Sequence, residues 1–186
     1  MHLRLYPRLY PRLNLRLNQQ PIQAQFEPKF KPSVAELHWG KICAMSALFL
    51  VPDNFPQLAS ALSSGRWVVA CLCAGWCDVC KQYRAGFEAL AADHPEALFV
   101  WIDIEDQADL VGDLDVENFP TILIQHRDIV AFYGTMMPEP RQVARLLEAQ
   151  RERSDDDLRR EAAGSAERQQ WQRDCNLLAR LDEISS

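Results

Sequence analysis

The sequence predicts an α/β fold, a central mixed sheet flanked by helices on both faces, followed by a C-terminal helical extension. Three observations predict it. Residues 67–73 and 98–102 are short and uniformly apolar, as strands buried on both faces are. Segments with helical periodicity separate the early strands, which implies crossover connections and parallel pairing. Two later apolar runs, 121–125 and 129–133, are separated by only His126, Arg127 and Asp128, short enough for an antiparallel hairpin.

A chain of 186 residues accommodates one domain with a substantial core, plus tails. Its charge is uneven. Residues 1–44 carry seven Lys/Arg and two Asp/Glu, residues 45–150 six and fifteen, and residues 151–186 seven and nine. The acidic middle argues against a nucleic-acid partner. No run approaches the roughly 18 apolar residues of a membrane span, and the basic amino terminus lacks the apolar run and cleavage site of a secretory signal. Neither a membrane nor export is expected, and the cytoplasm is the default compartment.

The first stretch repeats Arg4, Arg8, Arg12 and Arg16 with Pro7 and Pro11 at the same interval. Proline at that spacing opposes a regular helix, so 1–44 is expected to be a disordered leader. Because composition changes abruptly after Met45, the natural chain is expected to begin there, with 1–44 an upstream extension. Cys43 receives no role. From Met45 the pattern gives a strand at 47–51, a turn at Pro52, Asp53 and Asn54, and a helix over 55–64. Phe55, Leu58, Ala59 and Leu62 share one face of that helix and Gly65 ends it.

The central strand 67–73 leads through Ala74 and Gly75 to Trp76, Cys77, Asp78, Val79, Cys80 and Lys81. A helix over 77–92 follows, with Val79, Cys80, Tyr83, Phe87, Leu90 and Ala91 as its buried stripe. Cys77 falls at the exposed start of that helix, where unpaired N–H groups and the helix dipole favour a thiolate and make it the attacking sulfur. Cys80 lies one turn further in, able to close a disulfide after Cys77 forms a mixed disulfide. A zinc site needs four ligands, and no second Cys-x-x-Cys or Cys/His pair follows at usable spacing. His94 and His126 are isolated, and no cofactor motif is visible.

Beyond the strand at 98–102 come an acidic turn at Glu105 and Asp106, a helix over 107–114, the hairpin, with Gly134 interrupting its second strand, and a helix over 139–148 faced by Val143, Leu146 and Leu147. Over about residues 45–150 the chain resembles the thioredoxin family. The resemblance rests on Trp76-Cys77 through Cys80-Lys81 after an apolar strand, Phe119-Pro120-Thr121 opening the hairpin, the acidic 102–106 stretch between them, and Gly134. It implies a thioredoxin-like fold and a dithiol–disulfide oxidoreductase, with Cys77 attacking and Cys80 resolving. It also implies a cis Phe119–Pro120 bond and an extended substrate pairing at the residue before Pro120. Trp76, Phe119, Pro120 and Thr121 are thus the substrate-binding candidates, and protein disulfides are the substrates. Met136 or Met137 would extend the same apolar patch.

The sequence also departs from the family. Asp78 and Val79 replace the usual Gly-Pro, and a carboxylate beside Cys77 opposes its thiolate by like-charge repulsion. The family's buried acid is matched by Cys71 and its frequent lysine in the next strand by Trp101, so Cys71, Trp101, Asp78 and Val79 are expected to modulate the site. Cys71 and Cys73 point to one face of their strand, cannot easily bridge each other, and are expected to act as small buried apolar residues. The sharper reading is that Cys71 stores an oxidising equivalent near the active pair.

Residues 151–186 are helix-prone and charged. Residues 151–168 read as a solvated helix or linker. Trp171, Cys175 and Leu178 fall on one helical face, flanked by Leu177, Leu181 and Ile184. That stripe is expected to dock back on the domain, pair with another chain, or bind a client. Electrons would come from a reductase or a low-molecular-weight thiol. The competing function is a thioredoxin-fold adaptor or chaperone-associated protein with a vestigial or regulatory dithiol. A third is a redox sensor whose disulfide alters tail docking.

Overall fold

A computed structural model describes residues 47–185 apart from residues 113 and 115. The expected leader at 1–44 and Cys43 lie outside the described residues. Strands β1 (Leu48–Phe49), β2 (Trp67–Cys73), β3 (Ala97–Asp103), β4 (Thr121–His126) and β5 (Ile129–Thr135) form one sheet in the order β1-β3-β2-β4-β5. The pairs β1–β3 and β2–β3 are parallel, while β2–β4 and β4–β5 are antiparallel. The helices α1 (Phe55–Ser63), α2 (Asp78–Asp93), α3 (Ala108–Val111) and α4 (Pro140–Arg151) connect or follow the strands. Three further helices form the extension: α5 (Asp155–Ala162), α6 (Ala166–Asp174) and α7 (Leu177–Ile184). The mixed, helix-flanked sheet predicted from the sequence is the architecture observed.

Local chemistry explains where elements stop short of expectation. β1 is two residues rather than five because Asn54 Nδ2 donates to the Phe49 carbonyl (2.7 Å) and its Oδ1 accepts from Val51 N (3.0 Å), turning the chain off the sheet. α3 ends at Val111 because Gly112 takes a left-handed backbone, φ 52°. Gly134, opposite Ile122, does not interrupt β5, which continues to Thr135.

The extension is three capped helices, and the first of them lies within the stretch 151–168 that reads from sequence as a solvated helix or linker. Ser154, Ser165 and Asn176 each accept a backbone N–H from the first turn of the following helix, so the chain changes direction at each. Trp171, Cys175 and Leu178 therefore do not lie on one continuous helix. Leu158 and the stretch Cys175, Leu177 and Leu181 are nonetheless buried against the domain. Gln172 closes the outer edge of β5 by accepting from Val130 N (2.8 Å) and donating to Val130 O (2.9 Å), and Arg168 donates to Ala131 O (2.9 Å). Docking back on the domain is the arrangement observed, and it covers a strand edge that would otherwise offer unpaired backbone groups.

Candidate active site

Alternation along β2 sends Val69, Cys71 and Cys73 into the core beneath α2, and Val68, Ala70 and Leu72 into the core on the opposite face. On α2, Cys80, Tyr83, Phe87, Leu90 and Ala91 are buried, a stripe that lies on the first of these cores. Val79, expected in that stripe, is 45% exposed. It sits in the first turn, which overhangs the end of β2, since Cys80 already meets Cys73, the last residue of that strand.

Cys77 caps α2, its Sγ accepting from Cys80 N at 3.4 Å. A turn bond from Cys77 N to Ala74 O (3.0 Å) holds the loop that delivers it. Asp78 is directed outward to Lys81 (3.1 Å), a solvent-exposed pair. The neighbouring carboxylate is thus matched by a cation of its own helix.

The disulfide lies elsewhere than expected: Cys80 is bonded to Cys73, their Cα atoms 6.1 Å apart, and Cys77 is a free thiol. That separation falls within the range disulfides adopt. Cys73 is therefore not merely a small apolar residue. Its strand face and the buried stripe of α2 were both legible, but their meeting at the same level was not. Cys71 is also a free thiol, with its Sγ 3.7 Å from that of Cys73. Cys73 has no S–H in this state, so Cys71 donates. Burial first, and the nearby Cys77 second, push the Cys71 thiol well above the ordinary range, which keeps its proton in place.

Beside the charged Asp78–Lys81 pair, the site carries two aromatic side chains. Trp76 is 64% exposed and anchored by Nε1 donating to Glu105 Oε1 (3.0 Å). Glu105 is in turn placed by its N–H on Asp103 Oδ1 (3.0 Å), so the acidic turn positions the indole, a role not read from the sequence. Phe119 packs edge-on against Trp76 with centroids 5.6 Å apart. The Phe119–Pro120 bond is cis, Met136 N donates to Pro120 O (3.1 Å), and buried Thr121 Oγ1 donates to Asn118 O (2.7 Å). Trp101 pairs with Cys71 across β2–β3 and is wedged between Phe49 and Phe87, with centroids 6.4 and 5.8 Å away. The positions that the resemblance associates with an acid and a lysine thus hold a thiol and an indole. Tyr83, a helical turn beyond Cys80, has a buried hydroxyl without a hydrogen-bond partner; burial first, then Cys71 and Glu139, hold it protonated. Among the described residues no group of three or more His, Cys, Asp or Glu side chains could hold a metal ion, and no helix is long and apolar enough to cross a membrane.

A redox-capable cysteine cluster at a strand-to-helix junction, opposite a cis-proline hairpin, defines a thioredoxin-like class of protein. The thioredoxin family profile matches residues 46–147, more than half of the chain, and the protein belongs to that family. Its relatives include the thioredoxin-like protein CXXS1 of Oryza sativa subsp. japonica, 37% identical over 42% of this chain and 58% of that protein. Putative thioredoxin 2 of Streptomyces coelicolor is 28% identical over 47% and 63%. The chain thus matches about three fifths of the length of these relatives. In fold it is similar to thioredoxin from Trypanosoma brucei brucei, with TM-score 0.52 and 19% identity over 61% of this chain and 97% of that one. A poplar thioredoxin h gives TM-score 0.52 and 19% identity over 59% and 99%.

Proposed function

We propose that this protein is a dithiol–disulfide oxidoreductase acting on protein disulfides, with Cys77 attacking and Cys80 resolving. The observation that carries the reading is Cys77 at the cap of α2, free as a thiol, with the Cys80 N–H directed at its sulfur. Exposed Trp76 and the Phe119–Pro120 segment supply an apolar platform where an extended chain pairs with backbone. Cys77 thiolate attacks one sulfur of the substrate disulfide, forming a mixed disulfide and expelling a substrate thiolate. Cys80 thiolate then attacks Cys77 Sγ and expels the second substrate thiolate. Two electrons pass to the substrate. They are restored by a reductase or a low-molecular-weight thiol, and the cytoplasm, where such donors keep dithiols reduced, is the compartment. Residues 45–150 carry the chemistry and 151–186 serve it as a docked extension.

The test is reduction of insulin disulfides by the full chain with dithiothreitol as donor. Cys77→Ser is expected to lower turnover to about one hundredth or less. Turnover that survives this substitution would sink the reading and leave a binding role for the domain.

A further inference from the structure

Four sulfurs meet at one end of this fold, and the reaction just described uses only two. Cys71 and Cys73 come up from β2, while Cys77 and Cys80 come down from the start of α2. The proposed chemistry pairs Cys80 with Cys77, yet the structure pairs Cys80 with Cys73 and leaves Cys77 free. Cys80 thus has a partner on either side, one at the helix cap and one at the strand end.

We propose that Cys73 is a second exchange partner of Cys80, so that the oxidising equivalent collected at Cys77 is transferred inward to a Cys73–Cys80 disulfide and Cys77 is released as a thiol. This rests on the thiol–disulfide reading above. The step is balanced within the chain. Cys73 thiolate attacks Cys80 Sγ of a Cys77–Cys80 disulfide, the Cys73–Cys80 bond forms, the Cys77–Cys80 bond breaks, and the Cys77 sulfur leaves with the electron pair. The proton that Cys73 gave up is recovered at Cys77, and no external oxidant enters.

Three features of the site favour this direction. The leaving sulfur remains at the first turn of α2, where the Cys80 N–H points at it and the helix start favours negative charge. The Cys71 thiol lies 3.7 Å from the Cys73 sulfur, so its S–H offsets part of the burial penalty on a Cys73 thiolate, which makes Cys71 a positioning residue. The resulting disulfide is shut away from solvent, with Cys73 and Cys80 each 1% exposed, while Cys77 lies at the surface end of the cluster at 9%. An oxidised molecule therefore still holds a free thiol at the cap of α2, more exposed than the disulfide although largely buried. A mixed disulfide formed at Cys77 in that state has no free Cys80 to resolve it and persists until an outside thiol arrives. The same site acts as a dithiol when reduced and as a monothiol when oxidised.

The experiment equilibrates the full chain in glutathione buffers, quenches with acid, blocks thiols with N-ethylmaleimide in denaturant, reduces, and labels with iodoacetamide. Fragment spectra then assign each label within peptide 67–81, which contains all four cysteines. The expected result is the second label on Cys73 and Cys80 with Cys77 blocked, and a Cys77→Ser chain that still closes a reversible disulfide. If Cys73–Cys80 is the major oxidised form, Cys73→Ser lowers the oxidation constant by more than about twofold, because one of two oxidised states is removed. A second label confined to Cys77 and Cys80, with Cys77→Ser remaining fully reduced, overturns the proposal and leaves the oxidoreductase reading intact. A wild-type chain that forms no reversible disulfide overturns both.

Discussion

The two faces of β2 are built for different tasks. One carries Val69, Cys71 and Cys73 under α2 and ends in the sulfur cluster; the other carries Val68, Ala70 and Leu72 and is purely aliphatic along the strand. The first face opens to solvent where Trp76 and Val79 are exposed, while the second is covered by the extension through Cys175, Leu177 and Leu181. Even the extension's cysteine is chemically quiet: burial first, and Asp174 second, push the Cys175 thiol up to about 12. A thiol becomes available by standing at the end of a strand or the start of a helix, and not by being a thiol.

The comparison breaks most visibly at Leu181. Leu181→Ala removes a 2%-exposed anchor of the covered face and is expected to cost about 2–5 kcal/mol in chemical unfolding. The rate at which Cys77 is alkylated in the folded protein should stay within about twofold. A large rise in that rate would show that the two faces are not independent.

Asn176→Ala tests the polar clasp on the same side. Asn176 Oδ1 accepts from Gln125 Nε2 at 2.7 Å and caps α7, and its Nδ2 donates to Asp128 O at 2.9 Å. Gln125 is wholly buried and also accepts from Leu177 N at 2.9 Å. The substitution leaves one buried Gln125 N–H without its acceptor, although Nε2 still donates to Arg127 O, and removes the cap of α7; it is expected to cost about 1–3 kcal/mol, read as a lowered urea midpoint.

On the open face, Trp76→Ala should raise KM for a protein disulfide about fivefold, roughly 1 kcal/mol of lost contact, with stability nearly unchanged. An unaltered KM would remove Trp76 from the substrate platform. The smallest effect concerns His126, which stacks on Trp67 (4.7 Å between centroids) with Nε2 3.4 Å from Asp155. Burial first, and Arg127 next, hold its pKa below the ordinary 6.5, against the opposing pull of Asp155. The unfolded chain therefore binds the proton first. His126 contributes fully above about 6.5, and stability declines as pH falls from there towards the lower folded value. His126→Asn should flatten this part of the stability–pH curve, and an unchanged slope would assign it to other groups.

Much of the frame was legible because short-range rules suffice for it. The apolar run of β2 and the close pairing of β4 with β5, which only Arg127 and Asp128 separate, each follow from local pattern. Cys80, Tyr83 and Phe87 were recognisable as an inward stripe for the same reason. Val79 was misplaced because periodicity does not know where the underlying strand ends. The helical character of the extension was legible, but its three starts were not, because Ser154, Ser165 and Asn176 are ordinary polar residues until they cap. Gln125 looked like part of an apolar strand, and its buried partner lies 51 residues away.

The sequence by itself determined the order of strands and helices, the Cys-x-x-Cys pair at a helix start, and the proline that opens the hairpin. These depend on residue type and spacing along a few turns of chain. Tertiary structure alone decided which sulfur meets Cys80, what holds Trp76, and where the extension settles. Those outcomes turn on how far one element slides along another, and a shift of a single residue would bring a different pair of side chains face to face.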